Sequence, residues 1–211
     1  YFGENMKTVV LLSGKMRSGK NTFADILIEE LTKQSPNLTV KYDFFAKPVK
    51  DQCKEVFSTL TKYLNMVSST YDIKELYTDE DNWYEDKNEI TRILLQTYGT
   101  EIFREKVDKN YWSNLMKRSI ESSTNDVIII TDLRFKNEIE IIKSSLKFNT
   151  ISVRIDRPEL VVQDTEIHQH SSEIDLDDYD GFDASILNTS FDALRDSSKD
   201  ITKLILDSYK I

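Results

Sequence analysis

A chain that runs Thr8-Val9-Val10-Leu11-Leu12 into Ser13 and then carries Gly14-Lys15-Met16-Arg17-Ser18-Gly19-Lys20-Asn21-Thr22 has few folds open to it. The apolar run is short and continuous, as in a strand buried on both faces of a parallel sheet. After the turn the period changes. Phe23, Ile26, Leu27 and Leu31 recur at helical spacing until Pro36 forbids continuation, predicting a helix from Asn21 to Gln34. Between strand and helix stands G-x-x-x-x-G-K. Glycines there let the main chain turn with its N–H groups inward, the helix start adds partial positive charge, and Lys20 reaches the outer phosphates of a nucleotide. Lys15, Arg17 and Lys20 stand in this stretch with no acid beside them. Gly14, Lys15, Ser18, Gly19 and Lys20 are therefore expected to cradle phosphate. The position after the lysine usually carries a hydroxyl that binds Mg²⁺. Asn21 offers an amide oxygen instead, with Thr22 next to it, so Asn21 reads either as a weak metal ligand or as a helix cap.

Further along, Thr39 to Phe45 is a strand candidate, and Pro48 suits the first helical position of a segment carrying Val49, Cys53, Val56, Leu60 and Leu64 on one face. Residues 66–89 lose periodicity and are acidic, reading as an insert or lid. Ile90 to Glu121 returns to helical spacing, interrupted at Gly99, and fits two or three helices. Val127 to Ile130 is the clearest buried strand, followed by a helix with Phe135, Ile139, Ile142 and Leu146 on one side. Ile151 to Ile155 and Ala184 to Leu187 are further strands. Phe191, Leu194, Ile201, Leu204 and Ile205 mark a closing helix. Strands alternating with helices give an α/β class, a doubly wound, mainly parallel sheet with helices on both faces and ligands beyond the carboxyl ends of its strands. Asp132 follows the apolar run at such an end. It reads as a ligand that orders Mg²⁺ through water or bonds an acceptor, or else as a cap of the next helix. Arg134 reads as a phosphate ligand, and Glu138, four residues on, can pair with it and aim it.

With 211 residues the chain fits one large domain, residues 6–211. Tyr1 to Asn5, ahead of Met6, read as a remnant of expression. Lone Cys53 excludes an internal disulfide, and His168 and His170 are too few for a histidine metal cage. No apolar run approaches a membrane span and no charged-then-apolar leader opens the chain, so a soluble, cytoplasmic protein with no membrane partner is expected. Formal charge is −9, which argues against a nucleic-acid surface. Residues 72–89 carry eight acids and two bases, and 173–183 six acids and no base. Together they hold −12 and leave +3 for the rest. Both segments read as solvated faces or as a charged flap beside a site.

The loop GKMRSGKNT resembles that of the bacteriophage deoxynucleoside monophosphate kinases, typically G-K-x-R-S-G-K-D-T. Later stretches carry the likeness on: Phe45-Ala46-Lys47-Pro48-Val49-Lys50, then Arg92 to Glu101 with Tyr111-Trp112, then Thr131-Asp132-Leu133-Arg134-Phe135-Lys136-Asn137-Glu138, similar to the family's D-x-R-x-x-x-E. His170, Ser172, Glu173 and a closing strand ending in Asn188 resemble its tail. The resemblance implies a P-loop NTPase fold with a helical acceptor or lid region, and transfer of the γ-phosphoryl of ATP to a deoxynucleoside monophosphate with Mg²⁺. It further implies Lys20, Arg17, Asp132 and Arg134 as the catalytic set and Arg92, Gln96, Gly99, Thr100, Trp112, Asp132 and Glu138 as the acceptor site. Arg92 would fork onto the monophosphate and Trp112 wall the base or sugar, although a stripe with Leu115 and Met116 also suits core packing. Asn21 departs from the family's Asp and removes a negative charge near the metal. Arg157, before Pro158, could stack on adenine.

Two other readings stay open on sequence grounds. One is another small-molecule kinase with such a loop, for example a phosphomevalonate kinase; the other is a nucleotide-binding switch that reshapes an acidic segment without transferring phosphate. A homodimer is also left open.

Overall fold

The apolar run after Met6 forms β1 (Lys7–Ser13), and the turn that ends it feeds α1 (Lys20–Gln34). The computed structural model of the protein describes residues 6–67, 89–158 and 174–209. After α1 come β2 (Val40–Asp43), α2 (Ala46–Val67), α3 (Glu89–Gln96), a π-helix (Thr97–Val107), α4 (Tyr111–Ser122), β3 (Val127–Leu133), α5 (Lys136–Lys143), β4 (Phe148–Asp156), β5 (Ala184–Leu187) and α6 (Phe191–Asp207). The chain divides into two compact units, Tyr1–Phe44 with Met116–Ile211, and Phe45–Leu115. Among the described residues no helix is long and apolar enough to cross a membrane.

The first unit holds a five-stranded sheet in the order β2-β3-β1-β4-β5, with every neighbouring pair parallel. β1 is central because it is apolar on both faces. Val10 and Leu12 belong to a core shared with Phe23, Leu27 and Leu31 of α1 and Leu194, Ile201 and Ile205 of α6. Val9, Leu11, Ile128 and Ile130 alternate with that set and so face the other way, where burial is as complete. Each such side chain contributes about 1.5–3 kcal/mol when withdrawn from water. Connections from β1 lead to β2 on one side and from β3 to β4 on the other, so the strand order reverses around β1. The crevice at the carboxyl ends there is where a doubly wound sheet binds ligands.

The register between β1 and β3 slips at this end. Leu11 pairs with Ile130 but Ser13 with Leu133, so β3 takes three steps where β1 takes two, and the extra residue falls at Thr131 or Asp132. A bulge of this kind re-aims side chains beside a site.

Some sequence expectations shift. Asp132 lies within β3, because the bulge prolongs the strand to Leu133. Pro48 is the third residue of α2 rather than the first, still inside the turn whose N–H groups have no intrahelical acceptor. Leu146 is 91% exposed because α5 stops at Lys143, before Ser144-Ser145, and Phe191 and Leu204 are half-exposed on α6. Residues 68–88, nearly all of the acidic insert, lie outside the described residues, as do Tyr1 to Asn5.

In the second unit the interruption at Gly99 is a change of winding, not a break. The chain passes from α3 directly into the π-helix, which closes with the Asp108 N–H on the Phe103 carbonyl at 2.9 Å, five residues back. Gly99 is needed by packing. A Cβ there would lie 2.9 Å from Val49 Cγ1 of α2. Around it Cys53, Tyr98 and Trp112 form a core with Val49, Phe57 and Phe103, and burial pushes the Cys53 thiol up to about 11, leaving it a protonated packing group. Gly99→Ala should destabilise the protein by about 1–3 kcal/mol through overpacking, and adding Val49→Ala should recover part of that loss. Urea unfolding of both variants checks this, and additive effects would contradict it.

Candidate active site

The turn from β1 to α1 is held in a conformation that two glycines make possible. Gly14 has φ 152°, Gly19 φ 100° and Arg17 φ 62°, the one positive-φ residue other than glycine among those described. A Cβ on Gly14 would strike the Ile155 carbonyl oxygen of β4 and Ser18 Oγ, and one on Gly19 would strike Asn188 Nδ2. Gly14 has no room for a side chain and Gly19 holds a φ that side chains rarely adopt; left-handed residues alternating with ordinary ones make a concave backbone suited to anions. The Ser18 N–H closes the turn on the Lys15 carbonyl at 3.1 Å. Asn188, just past the edge strand β5, donates from Nδ2 to the Ser18 carbonyl at 2.8 Å and so clamps the loop. Lys20 Nζ donates to the Gly14 and Lys15 carbonyls at 2.7 and 2.8 Å, so its charge lies over the loop. Ser18 Oγ is buried with no hydrogen-bond partner, a polar atom inside the cradle. Gly19 is the N-cap of α1 and Asn21 is already helical, so Asn21 does not cap the helix. Asn21 and Thr22 are exposed on its first turn.

Beyond the loop a hollow opens at the carboxyl ends of the central strands. Ser13, Gly14, Lys20, Asp132, Leu133, Arg134, Arg154 and Leu176 line it. The first unit thus gathers Lys20, Asp132 and Arg134, three of the residues expected from sequence; Arg17 lies exposed on the loop itself. Glu138 is 3% exposed, and its Oε2 accepts the main-chain N–H groups of Arg134 and Phe135 at 2.9 and 3.1 Å. Its carboxylate therefore fixes the backbone from which Arg134 projects and satisfies two donors at the start of α5. Arg157 is exposed just after β4.

Leu176, from the second acidic segment, lines this hollow, and its acidic neighbours pair with residues around it. Asp177 Oδ2 pairs with Lys15 at 2.5 Å and Oδ1 with Arg154 at 3.3 Å. Asp175 accepts the Lys136 N–H at 2.8 Å, and Asp178 pairs with Lys136 Nζ at 2.7 Å. Further on, Asp183 accepts from Ser152 N and Oγ and pairs with Lys143. Burial raises its pKa, but the Lys143 and Ser152 donors outweigh that and hold the carboxyl below its usual range. His168 and His170 lie outside the described residues.

The acceptor residues expected from the resemblance lie in the second unit. Arg92 is on α3, four positions before Gln96, which is exposed; Gly99 and Thr100 are in the π-helix. Trp112 is 3% exposed. Its indole N–H donates to the Gly99 carbonyl at 2.8 Å, and its ring packs with Phe103 and Tyr111 at centroid distances of 5.1 and 4.8 Å. It is thus a core residue that anchors the segment carrying Gly99 and Thr100.

The family model described as deoxynucleotide monophosphate kinase matches residues 60–196. The chain belongs to the deoxynucleotide monophosphate kinase family. A protein of Acanthamoeba polyphaga mimivirus, provisionally named a deoxynucleotide monophosphate kinase, is 29% identical over 87% of this chain and 89% of its own. The deoxynucleoside-5′-monophosphate kinase of Escherichia phage T5 is 25% identical over 66% of this chain and 73% of its own. Among solved structures, shikimate kinase from Acinetobacter baumannii in complex with shikimate aligns over 99% of this chain and 97% of its own, with 14% identity and a TM-score of 0.46.

Sequence reasoning missed three residues around this kinase's loop: Arg154, Asp177 and Asn188. A signal existed for Arg154, a charged residue inside the apolar run Ile151 to Ile155. Asp177 was averaged into an acidic segment, and Asn188 entered only as the end of a strand. Asn188→Ala removes the Nδ2 bond to the Ser18 carbonyl, worth about 1 kcal/mol. A several-fold rise in the nucleotide dissociation constant is expected by calorimetry, and an unchanged value would show that the clamp does not shape the loop.

Proposed function

We propose that this protein transfers the γ-phosphoryl group of ATP to the 5′-phosphate of a deoxynucleoside monophosphate, releasing ADP and the deoxynucleoside diphosphate. The observation that carries the reading is the gathering of Lys20, Asp132 and Arg134 around one hollow beside the glycine loop, in a chain of this family. Phosphoryl transfer asks little covalent work of a protein. It needs two anionic reactants held in line while cations offset charge on the moving group.

In this reading the loop Gly14 to Lys20 holds the donor phosphates, with Gly14, Lys15, Ser18 and Gly19 shaping the cradle. Lys20, Arg17 and Arg134 offset charge on the transferring group. The acceptor is held by Arg92, Gln96 and Thr100, with Gly99 and Trp112 fixing that segment from within, and Glu138 acts by holding Arg134. Arg157 covers the adenine. The attacking phosphate oxygen is already ionised near neutral pH, so no general base is required of the protein.

The residues present also fit Mg²⁺ in the manner usual for that ion, which is bound by one or two protein groups together with substrate phosphates. Among the described residues no cluster of three His, Cys, Asp or Glu side chains could hold a metal by itself. Thr22 and Asn21 would supply oxygens from the protein and Asp132 a carboxylate acting through water. Bound there, the ion would offset negative charge on the phosphates. We place the enzyme in the cytoplasm of a host cell, working on small molecules and not on nucleic acid.

The test offers ATP and Mg²⁺ with each of the four deoxynucleoside monophosphates, then with ribonucleotides, and measures ADP. Release that depends on a deoxynucleoside monophosphate is expected. ADP release indifferent to every acceptor would overturn the proposal.

A further inference from the structure

Arg154 is where the hollow departs from a plain phosphate cradle. It leaves β4 two residues before the strand ends, its side chain is 13% exposed, and it lines the hollow together with Gly14, Lys20 and Arg134. Nε pairs with Asp156 Oδ1 at 3.0 Å, one terminal nitrogen donates to Ser13 Oγ at 3.4 Å, and the other meets Asp177 Oδ1 at 3.3 Å. The second oxygen of Asp177 takes Lys15 of the loop at 2.5 Å. One carboxylate therefore bridges two cations that both border the cradle.

The bond lengths separate what holds Arg154 from what can be exchanged, and the shorter Asp177–Lys15 pair is open to exchange because both partners reach solvent. Asp156 fixes the guanidinium at Nε, whereas the contacts of its terminal nitrogens are long. Asp177 is 41% exposed. A guanidinium recognises carboxylate and phosphate through the same paired oxygens, and a polyphosphate brings more charge than a single carboxylate. The turn that carries Asp177 does not depend on it for attachment, since Asp175 and Asp178 tie the turn to Lys136 independently.

We propose that Arg154 is a phosphate-binding residue of the donor site and that Asp177 is its internal competitor, whose bonds to Arg154 and Lys15 are exchanged for phosphate oxygens when a polyphosphate enters. This rests on reading the loop as the donor-phosphate site, not on the identity of the acceptor. A purely structural strut has the opposite consequence. If Asp177 only braces loop and strand, removing its charge loosens the cradle and weakens anion binding; if it competes, removing its charge tightens binding.

The experiment titrates inorganic tripolyphosphate, which has neither base nor sugar, into the 211-residue chain by calorimetry at low salt, with a melting curve for each variant. Asp177→Asn should tighten binding about threefold, the scale of a partly exposed ion pair. Arg154→Ala should weaken it about tenfold, the scale of one charge-assisted hydrogen bond, with Arg154→Lys in between. In Arg154→Ala/Asp177→Asn the gain from Asp177→Asn should shrink. Binding unchanged or weakened in Asp177→Asn overturns the proposal, as does wild-type affinity in a folded Arg154→Ala; should Arg154→Ala fail to fold, Asp177→Asn decides alone. Tripolyphosphate binding that follows this pattern without any turnover of a deoxynucleoside monophosphate would overturn the proposed reaction and leave this inference standing. Turnover alongside the wrong sign in Asp177→Asn would do the reverse.

Discussion

The backbone at Gly14 passes too close to the Ile155 carbonyl of β4 for a side chain to fit, Gly19 is held against Asn188 at a φ that side chains rarely adopt, and the candidate site follows from that constraint. Gly14 is pressed against the Ile155 carbonyl, Gly19 against the Asn188 carboxamide, and the Ser18 carbonyl is held by the same carboxamide. The loop is thus shaped by what the carboxyl ends of β4 and β5 press against it. Its positive-φ residues make a concave run of main chain, and Lys20 lies bonded to its carbonyls.

The topology explains why the remaining charges arrive at the same place. A central β1, with β3 and β4 on either side of it, puts the ends of three strands around one crevice. Asp132 and Arg134 come from β3 and the residue following it, Arg154 from β4. The bulge in β3 falls at Thr131 or Asp132, so the local irregularity coincides with a residue that lines the hollow. Glu138 then secures the turn after β3 through two main-chain bonds, giving Arg134 a fixed origin. Acids are interleaved with these cations, which keeps a crowded positive site tolerable.

What could be read from the sequence was local. The strand, loop and first helix announced themselves through a short apolar run, two glycines and a helical period, all within 28 residues of one another, from Lys7 to Gln34. Asp132 and Arg134 were legible for the same reason, as neighbours of an unmistakable buried strand. Asn188 and Arg154 were not, because each meets residues of the loop region more than 100 positions away in the chain, and sheet order is what joins them. Gly99 shows a different limit. Its interruption of the helical pattern was visible, but pressure from Val49 and the Trp112 bond to its carbonyl arise only in the packed second unit, where the helix widens instead of breaking. Leu146 erred through extrapolation of a helical stripe past Ser144-Ser145.

Everything proposed for this protein requires that the Gly14 to Lys20 loop receive the phosphate chain of a nucleotide. A crystal structure with Mg²⁺ and a non-hydrolysable ATP analogue measures this directly. The outer phosphates are expected against the loop main chain, with Lys20 Nζ moved from the Gly14 and Lys15 carbonyls onto phosphate oxygens. Phosphates bound elsewhere, with Lys20 still on those two carbonyls, would contradict it.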